Sequence, residues 1–144
     1  MSDEVYVNAE TSNLGEFADQ FFALMLISHV REHDSMNYVD GIYFEGRAAG
    51  LTLDVAISDD RAFSDFRFCV HVNHYGPFVT DSEYLRGCGD TVARLVAKHG
   101  WVAARPATKD DMLYDKPRTQ RLVYRRDAAS NEITVSEESV SRAS

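Results

Sequence analysis

Asp54, Cys69 and His71 are the residues of this sequence whose types and spacing could do chemistry. Residues 66 to 73 alternate, with Phe66, Phe68, Val70 and Val72 on one side and Arg67, Cys69, His71 and Asn73 on the other. Residues 51 to 58 alternate likewise, with Leu51, Leu53, Val55 and Ile57 apolar and Thr52 and Asp54 polar. Pairing the two runs so that Val55 meets Phe68 sets Asp54 across from Cys69 and Thr52 across from His71. Tyr43, Glu45 and Arg67 share that face. A cysteine beside a histidine and an acid is the composition of a nucleophilic site. A reactive thiolate also needs a positive setting, and this face offers mainly Arg67. Tyr43, Thr52, Arg67, Cys69, His71 and Asn73 therefore form a candidate ligand face, with catalysis as the second reading and an ordinary polar sheet surface as the plain one.

Other chemistry is weakly written. His71 and His74 stand three apart, so on a strand they face opposite sides and chelate a metal only if the chain bends at Asn73. No metal and no cofactor is expected. The strings GxSxG, HExxH, CxxC and GxGxxG and the Walker loop are missing from the sequence.

Acidity is the stronger feature. The net charge is −8, and residues 1 to 64 hold twelve acids against three bases. Asp54, Asp59, Asp60 and Asp65 gather around one hairpin in a spacing that fits no calcium loop. Glu16 and Asp19 lie on the first helix. These six acids are the expected partner-binding residues. Such a surface repels phosphates, so direct nucleic-acid binding is not expected. Arg118, Arg121, Arg125 and Arg126 make a basic stripe near the end of the chain, read as neutralising the acidic half within the same molecule.

A chain of 144 residues, 44% hydrophobic and 26% charged, fits one globular domain. The longest apolar run, Phe21 to Ile27, is far shorter than a membrane span. No Lys or Arg precedes Arg31, which argues against a leader of either common kind. Two cysteines do not make a disulfide framework. The expectation is a cytoplasmic protein that binds no membrane.

The elements that must position these residues follow from periodicity. Leu14, Phe17, Phe21 and Leu24 share a helical stripe, with Asn13 as cap, predicting a helix from about Leu14 to Arg31. Strands are expected at 38–45, 51–58 and 66–73. Thr80 to Glu83 reads as a capping box opening a second helix that Gly100 closes. Gly87 and Gly89 inside it suggest close packing. Short strands at Trp101 to Ala104 and Gln120 to Arg126 flank a polar loop. The fold class is α+β: an antiparallel sheet of about five strands in the order α-β-β-β-α-β-β, with two helices on one face. The domain spans 1–127, and 128–144 is read as a disordered tail or a weak edge strand at Ile133. The element order resembles that of double-stranded RNA-binding domains only superficially, because Asp81 and Glu83 stand where that domain is basic.

The expected function is a small acidic protein-binding module, a non-catalytic inhibitor of a basic, nucleic-acid-handling protein. By analogy of class it would belong with toxin-immunity, anti-CRISPR or other phage and mobile-element accessory proteins. The alternative is a small enzyme or ligand-binding domain centred on Asp54, Cys69 and His71. An open sheet face and free edges would permit a homodimer.

Overall fold

In the computed structural model, residues 3–75, 82–107 and 120–140 are described. They form β1 (Asp3–Asn8), α1 (Leu14–Leu24), β2 (Val30–Asp34), β3 (Ile42–Ala48), β4 (Leu51–Ile57), β5 (Phe68–His74), α2 (Ser82–Lys98), β6 (Val102–Pro106), β7 (Gln120–Arg126) and β8 (Ile133–Ser139). The eight strands make one sheet in the order β2-β3-β4-β5-β1-β6-β7-β8, and every pairing is antiparallel.

One face of the sheet carries both helices. Val5, Val7, Val55, Phe68, Val70 and Val72 from the strands are buried against Phe17, Phe21 and Phe22 of α1 and Leu85, Val92 and Val96 of α2. Phe17 stacks on Phe68 with ring centroids 4.1 Å apart and leans on Trp101 at 5.4 Å. The opposite face is divided. Over β1, β6 and β7 it is covered by the segment around the short turn Arg61–Phe63. There Phe63 and Phe66 pack with Tyr6, Cys69, Ala104 and Val123 in a second small core, and Phe63 stacks on Tyr6 at 3.9 Å. Over β3, β4 and β5 that face is polar.

The α+β class, the two helices and the antiparallel sheet agree with the sequence reading, but the strand count and order do not. β1 opens with Asp3 and Glu4, which hid an inner strand. Both acids are buried, Asp3 against Arg105 at 2.7 Å and Glu4 hydrogen-bonded to the Tyr6 hydroxyl. β2 is polar and mostly exposed, so its residues gave no alternation. Helix α1 stops seven residues before Arg31. The Leu26 N–H bonds the Ala23 carbonyl and the Ile27 N–H bonds the Phe22 carbonyl, with Leu26 left-handed at φ 60. This closes the helix as a glycine usually does. β3 runs on through Gly46, past the expected strand end at 45. A Cβ there would lie 2.5 Å from the Phe22 ring, so the glycine lets α1 sit on the sheet. The start of the capping box and most of the loop before β7 lie outside the described residues.

At the far edge, β8 pairs with β7 at seven positions, so Ile133–Ser139 forms the edge strand that was one of the two readings of this segment. Ile133 joins the core and Glu138 meets Arg121 at 3.4 Å and Arg125 at 3.5 Å. Deleting residues 128–144 is expected to lower the melting temperature by about 3–6 °C, the loss of roughly 1–2 kcal/mol for a chain of this size. An unchanged melt by circular dichroism would show that β8 adds nothing to the sheet.

Candidate functional site

The polar half of the opposite face is assembled by register. β3 pairs Glu45 with Asp54, β4 pairs Asp54 with His71 and β5 pairs His71 with Glu4. Four titratable residues thus cross β3, β4, β5 and β1 in one row, at about 4.8 Å per strand. Arg31 of β2 extends the row beyond Glu45. The neighbouring row runs His33, Tyr43, Ala56, Cys69 and Tyr6, for which His33 pairs with Tyr43, Ala56 with Cys69 and Cys69 with Tyr6. Tyr38, from the β2–β3 connection, folds over this row.

The β4–β5 register differs from the expected one by two residues: Val55 meets Val70, and Thr52 meets Asn73. A shift of two keeps every side chain on its face. The connection sets it, for Asp60 caps the Arg61–Phe63 turn through the Ala62 N–H at 2.8 Å and the Ser58 N–H bonds the Arg67 carbonyl. Cys69 consequently lies beside His71 on its own strand, Sγ to Nε2 3.6 Å, and one row away from Asp54.

Rings surround the acid row on one side. Tyr43 stacks on His33 at 4.9 Å and meets Tyr38 at 4.8 Å, and Tyr38 meets His71 edge-on at 6.0 Å. Burial and then the neighbouring Asp54 carboxylate push the Tyr38 hydroxyl up to about 12. Tyr43 is raised by the same two causes and by Glu45. Both phenols remain neutral at physiological pH.

Asp54 itself is the anomaly. Burial and the Glu45 carboxylate raise it to about 6, against the pull of His33 and of a hydrogen bond from Asn73. That bond, from Asn73 Nδ2 to Oδ2, is 3.4 Å long, and the shielded Oδ1 accepts none. Like charges directly opposite on paired strands are destabilising. Glu45 has its own partners, Arg47 at 3.4 Å and His33 at 3.5 Å. The His33 contact is close but not aligned as a hydrogen bond, and its Nε2 is also without one.

The other sequence candidates are distributed as follows. Thr52 is buried on the face, beside Asn73. Arg67 is turned to the β1–α1 connection, where its backbone N–H donates to Asn8 Oδ1 and its Nε to the Ser12 carbonyl. Asp60 accepts from the Tyr6 hydroxyl at 3.1 Å, and Asp59 stands exposed in the adjoining turn. Asp65 is held by Arg121 in two bonds of 2.8 Å, which keeps its carboxyl below the ordinary range. Glu16 and Asp19 lie on α1, in the layer on the other side of the sheet, and Glu16 accepts from Thr11 at 2.7 Å. The six acids are therefore not one surface: Asp54 stands within β4, Asp59 and Asp60 follow in the turn beyond its end, and Asp65, Glu16 and Asp19 lie apart. His33, Tyr38 and Tyr6 complete the site without having been singled out, and Glu4 joins it from β1. The ring types of His33 and Tyr38 were visible, but their return over the sheet depends on a loop with no periodicity.

His71 faces this site and the exposed His74 lies beyond it at the strand end. Among the described residues no group of three His, Cys, Asp or Glu is arranged to hold a metal ion. No helix of the described residues is long and apolar enough to cross a membrane. A separate concavity of about 580 Å³ lies between Met25, the β3–β4 hairpin and α2; it is lined by apolar residues including Leu53, Cys88, Val92 and Leu95. Compared with protein-family models, curated proteins and solved structures, the chain matches none of them.

Proposed function

We propose that the chain is a non-catalytic binding module that blocks a basic protein target, and that it recognises the target through the polar half of the sheet face opposite the helices. The observation that carries this reading is the alignment of Glu45, Asp54, His71 and Glu4 in one row. Asp54 has no cation within ion-pair distance among the described residues. Asp59 and Asp60 lengthen the acidic field at one end, which favours rapid encounter with a positive surface. Inhibitors of the toxin-immunity or anti-CRISPR kind remain the class with which this reading agrees.

The test begins with a partner captured from the native host. Asp54→Asn and Glu45→Gln together are expected to weaken its affinity at least tenfold, and raised salt is expected to slow association more than it speeds dissociation. A partner held equally well by the double variant at every salt concentration would remove this face from the interaction.

The contact between Cys69 and His71 favours a second reading, a small enzyme or ligand-binding domain on the same face. Against catalysis, Cys69 is only 3% exposed, and reactive cysteines are accessible and lie in positive surroundings. Iodoacetamide is therefore expected to modify the half-buried Cys88 well before Cys69 in the folded protein. Preferential labelling of Cys69 at neutral pH, read by peptide mass spectrometry, would favour the enzyme.

A further inference from the structure

The acidic half of the chain gathers most of its positive charge in one place. Arg31, Arg47 and Arg61 are the only Lys or Arg residues among residues 1–64, and two of them meet at the outer edge of the sheet. A concavity of about 560 Å³ opens there, lined by Ser28, His29, Val30, Arg31, Glu45 and Arg47. Strand register assembles it. β2 is the terminal strand, and Arg31 stands across from Glu45 of β3. Arg47 follows two residues after Glu45, so it lies on the same face, diagonal to Arg31. Ser28 and His29 enter from just before β2. Arg31 makes no hydrogen bond or ion pair among the described residues. Arg47 is held by stacking over Tyr75 at 4.1 Å and by a contact of 3.4 Å to Glu45, yet it donates no hydrogen bond among the described residues. Glu45 is drawn to His33 as well, at 3.5 Å. Two guanidinium groups against one carboxylate leave a local positive surplus in a protein of net charge −8.

We propose that this concavity binds a phosphate group, free or carried on a small organic molecule, between Arg31 and Arg47. A guanidinium donates in a fork to phosphate oxygens, and such charge-assisted hydrogen bonds are the strong ones. The three terminal oxygens of a phosphomonoester take donors from both arginines and from Ser28 or His29 together, whereas a carboxylate offers only two. The volume is in the range of small-molecule sites, which leaves room for an organic body beside Val30. Nucleic acid is a poor fit, because a polyanion would also meet the acids of the same half. The site goes beyond the recognition surface proposed above, with which it shares Glu45 and, at the end of the row, Arg31.

The probes are phenyl phosphate and inorganic phosphate, titrated into ¹⁵N-labelled protein at pH 8 and physiological salt, with benzoate and phenol as counterparts. The expected result is millimolar binding of phenyl phosphate, with shifts centred on Ser28 to Arg31 and on Arg47. Benzoate is expected to bind more weakly and phenol not at all. Arg31→Gln and Arg47→Gln are each expected to weaken phosphate binding about tenfold. Both side chains are exposed, so the variants stay folded. Arg61→Gln, outside the concavity, is expected to leave binding unchanged. Glu45→Gln removes the one negative charge of the lining and is expected to tighten phosphate binding about threefold. Its effect on a captured basic partner has the opposite sign, so the two readings fail separately. Phenyl phosphate held more tightly than inorganic phosphate assigns the ligand to an organic phosphate; equal affinity assigns it to the free ion. Benzoate bound as tightly as phenyl phosphate, or phosphate binding unaffected by Arg31→Gln and Arg47→Gln, would overturn the inference. Absence of binding by either phosphate overturns it as well.

Discussion

Replacing Gly89 with alanine is expected to destabilise the protein by about 2–4 kcal/mol, while the same change at Gly87 stabilises it by up to about 1 kcal/mol. Both glycines lie inside α2, where alanine gains roughly 1 kcal/mol over glycine in helix propensity. Around Gly87 nothing lies within 4 Å of an added Cβ, so only the propensity acts. At Gly89 the Cβ would fall 1.8 Å from Asp3 Oδ2 and 3.2 Å from Arg105 Nε. Those two groups form a buried ion pair of 2.7 Å. Arg105 also donates to the Tyr124 hydroxyl at 2.8 Å and to the Arg86 carbonyl, and Tyr124 in turn donates to Asp90. Burial raises the Asp3 carboxyl above its ordinary value against the pull of Arg105, so the acid depends on keeping this partner. Displacing one member of a buried pair costs about 3–5 kcal/mol, which exceeds the gain in propensity. Urea denaturation of the two variants checks the sign: a Gly89→Ala protein as stable as Gly87→Ala would mean that α2 does not press on this pair.

The second large effect concerns Asp54. Asn in its place is expected to stabilise the protein by about 1–2 kcal/mol at pH 8, raising the melting temperature by about 3–6 °C. The sign follows from linkage. With a folded-state value of about 6 against 3.8, the folded protein binds the proton more tightly than the unfolded chain does. Below about pH 3 both states are protonated and Asp54 adds almost no penalty. As pH rises through 6 the folded carboxylate ionises beside Glu45, and the penalty reaches its full size. The full shift corresponds to roughly 3 kcal/mol, and partial exposure to solvent reduces it. The advantage of Asp54→Asn should therefore shrink almost to nothing between pH 8 and pH 3 in parallel thermal melts. An Asp54→Asn protein less stable than the original at pH 8 would mean that the carboxylate is already satisfied within the fold.

The legible parts of this fold were those whose burial is one-sided. β4 and β7 appeared almost at their observed limits, because Leu51, Leu53, Val55 and Ile57 alternate cleanly and Gln120 to Arg126 is bounded by polar residues. What hid β1 was the burial of charge: Asp3 and Glu4 read as surface residues until Arg105, 102 residues away in sequence, and Tyr6 supply their partners. β2 and β8 are edge strands with few buried side chains, so neither has an apolar face to betray it. The end of α1 was obscured because Leu26 takes the left-handed turn where glycine is the usual signal.

Of the site, the face was legible and the row was not. Alternation put Tyr43, Asp54, Cys69, His71 and Asn73 on one side of the sheet, and they are there. Which residue opposes which depended on the connection from Ser58 to Arg67, whose Asp60 cap and short turn have no periodicity. That connection decides that Asp54 faces His71, with Glu45 set on its other side by the β3–β4 hairpin, and that Cys69 lies under Phe63 and Phe66 in place of an accessible position. The acids also could not be sorted by sequence: Asp65 resembles Asp59 until Arg121 is found to hold it.

The claim that the Asp54 carboxylate lies unpaired on a recognition face is tested most directly by its own titration. Carbon-detected NMR of ¹³C-labelled protein follows the Asp54 carboxyl from pH 3 to pH 8. The account predicts a midpoint of about 6, raised by burial and by the Glu45 carboxylate. A midpoint at or below the ordinary aspartate value would contradict it, because the carboxylate would then already have its partner within the chain.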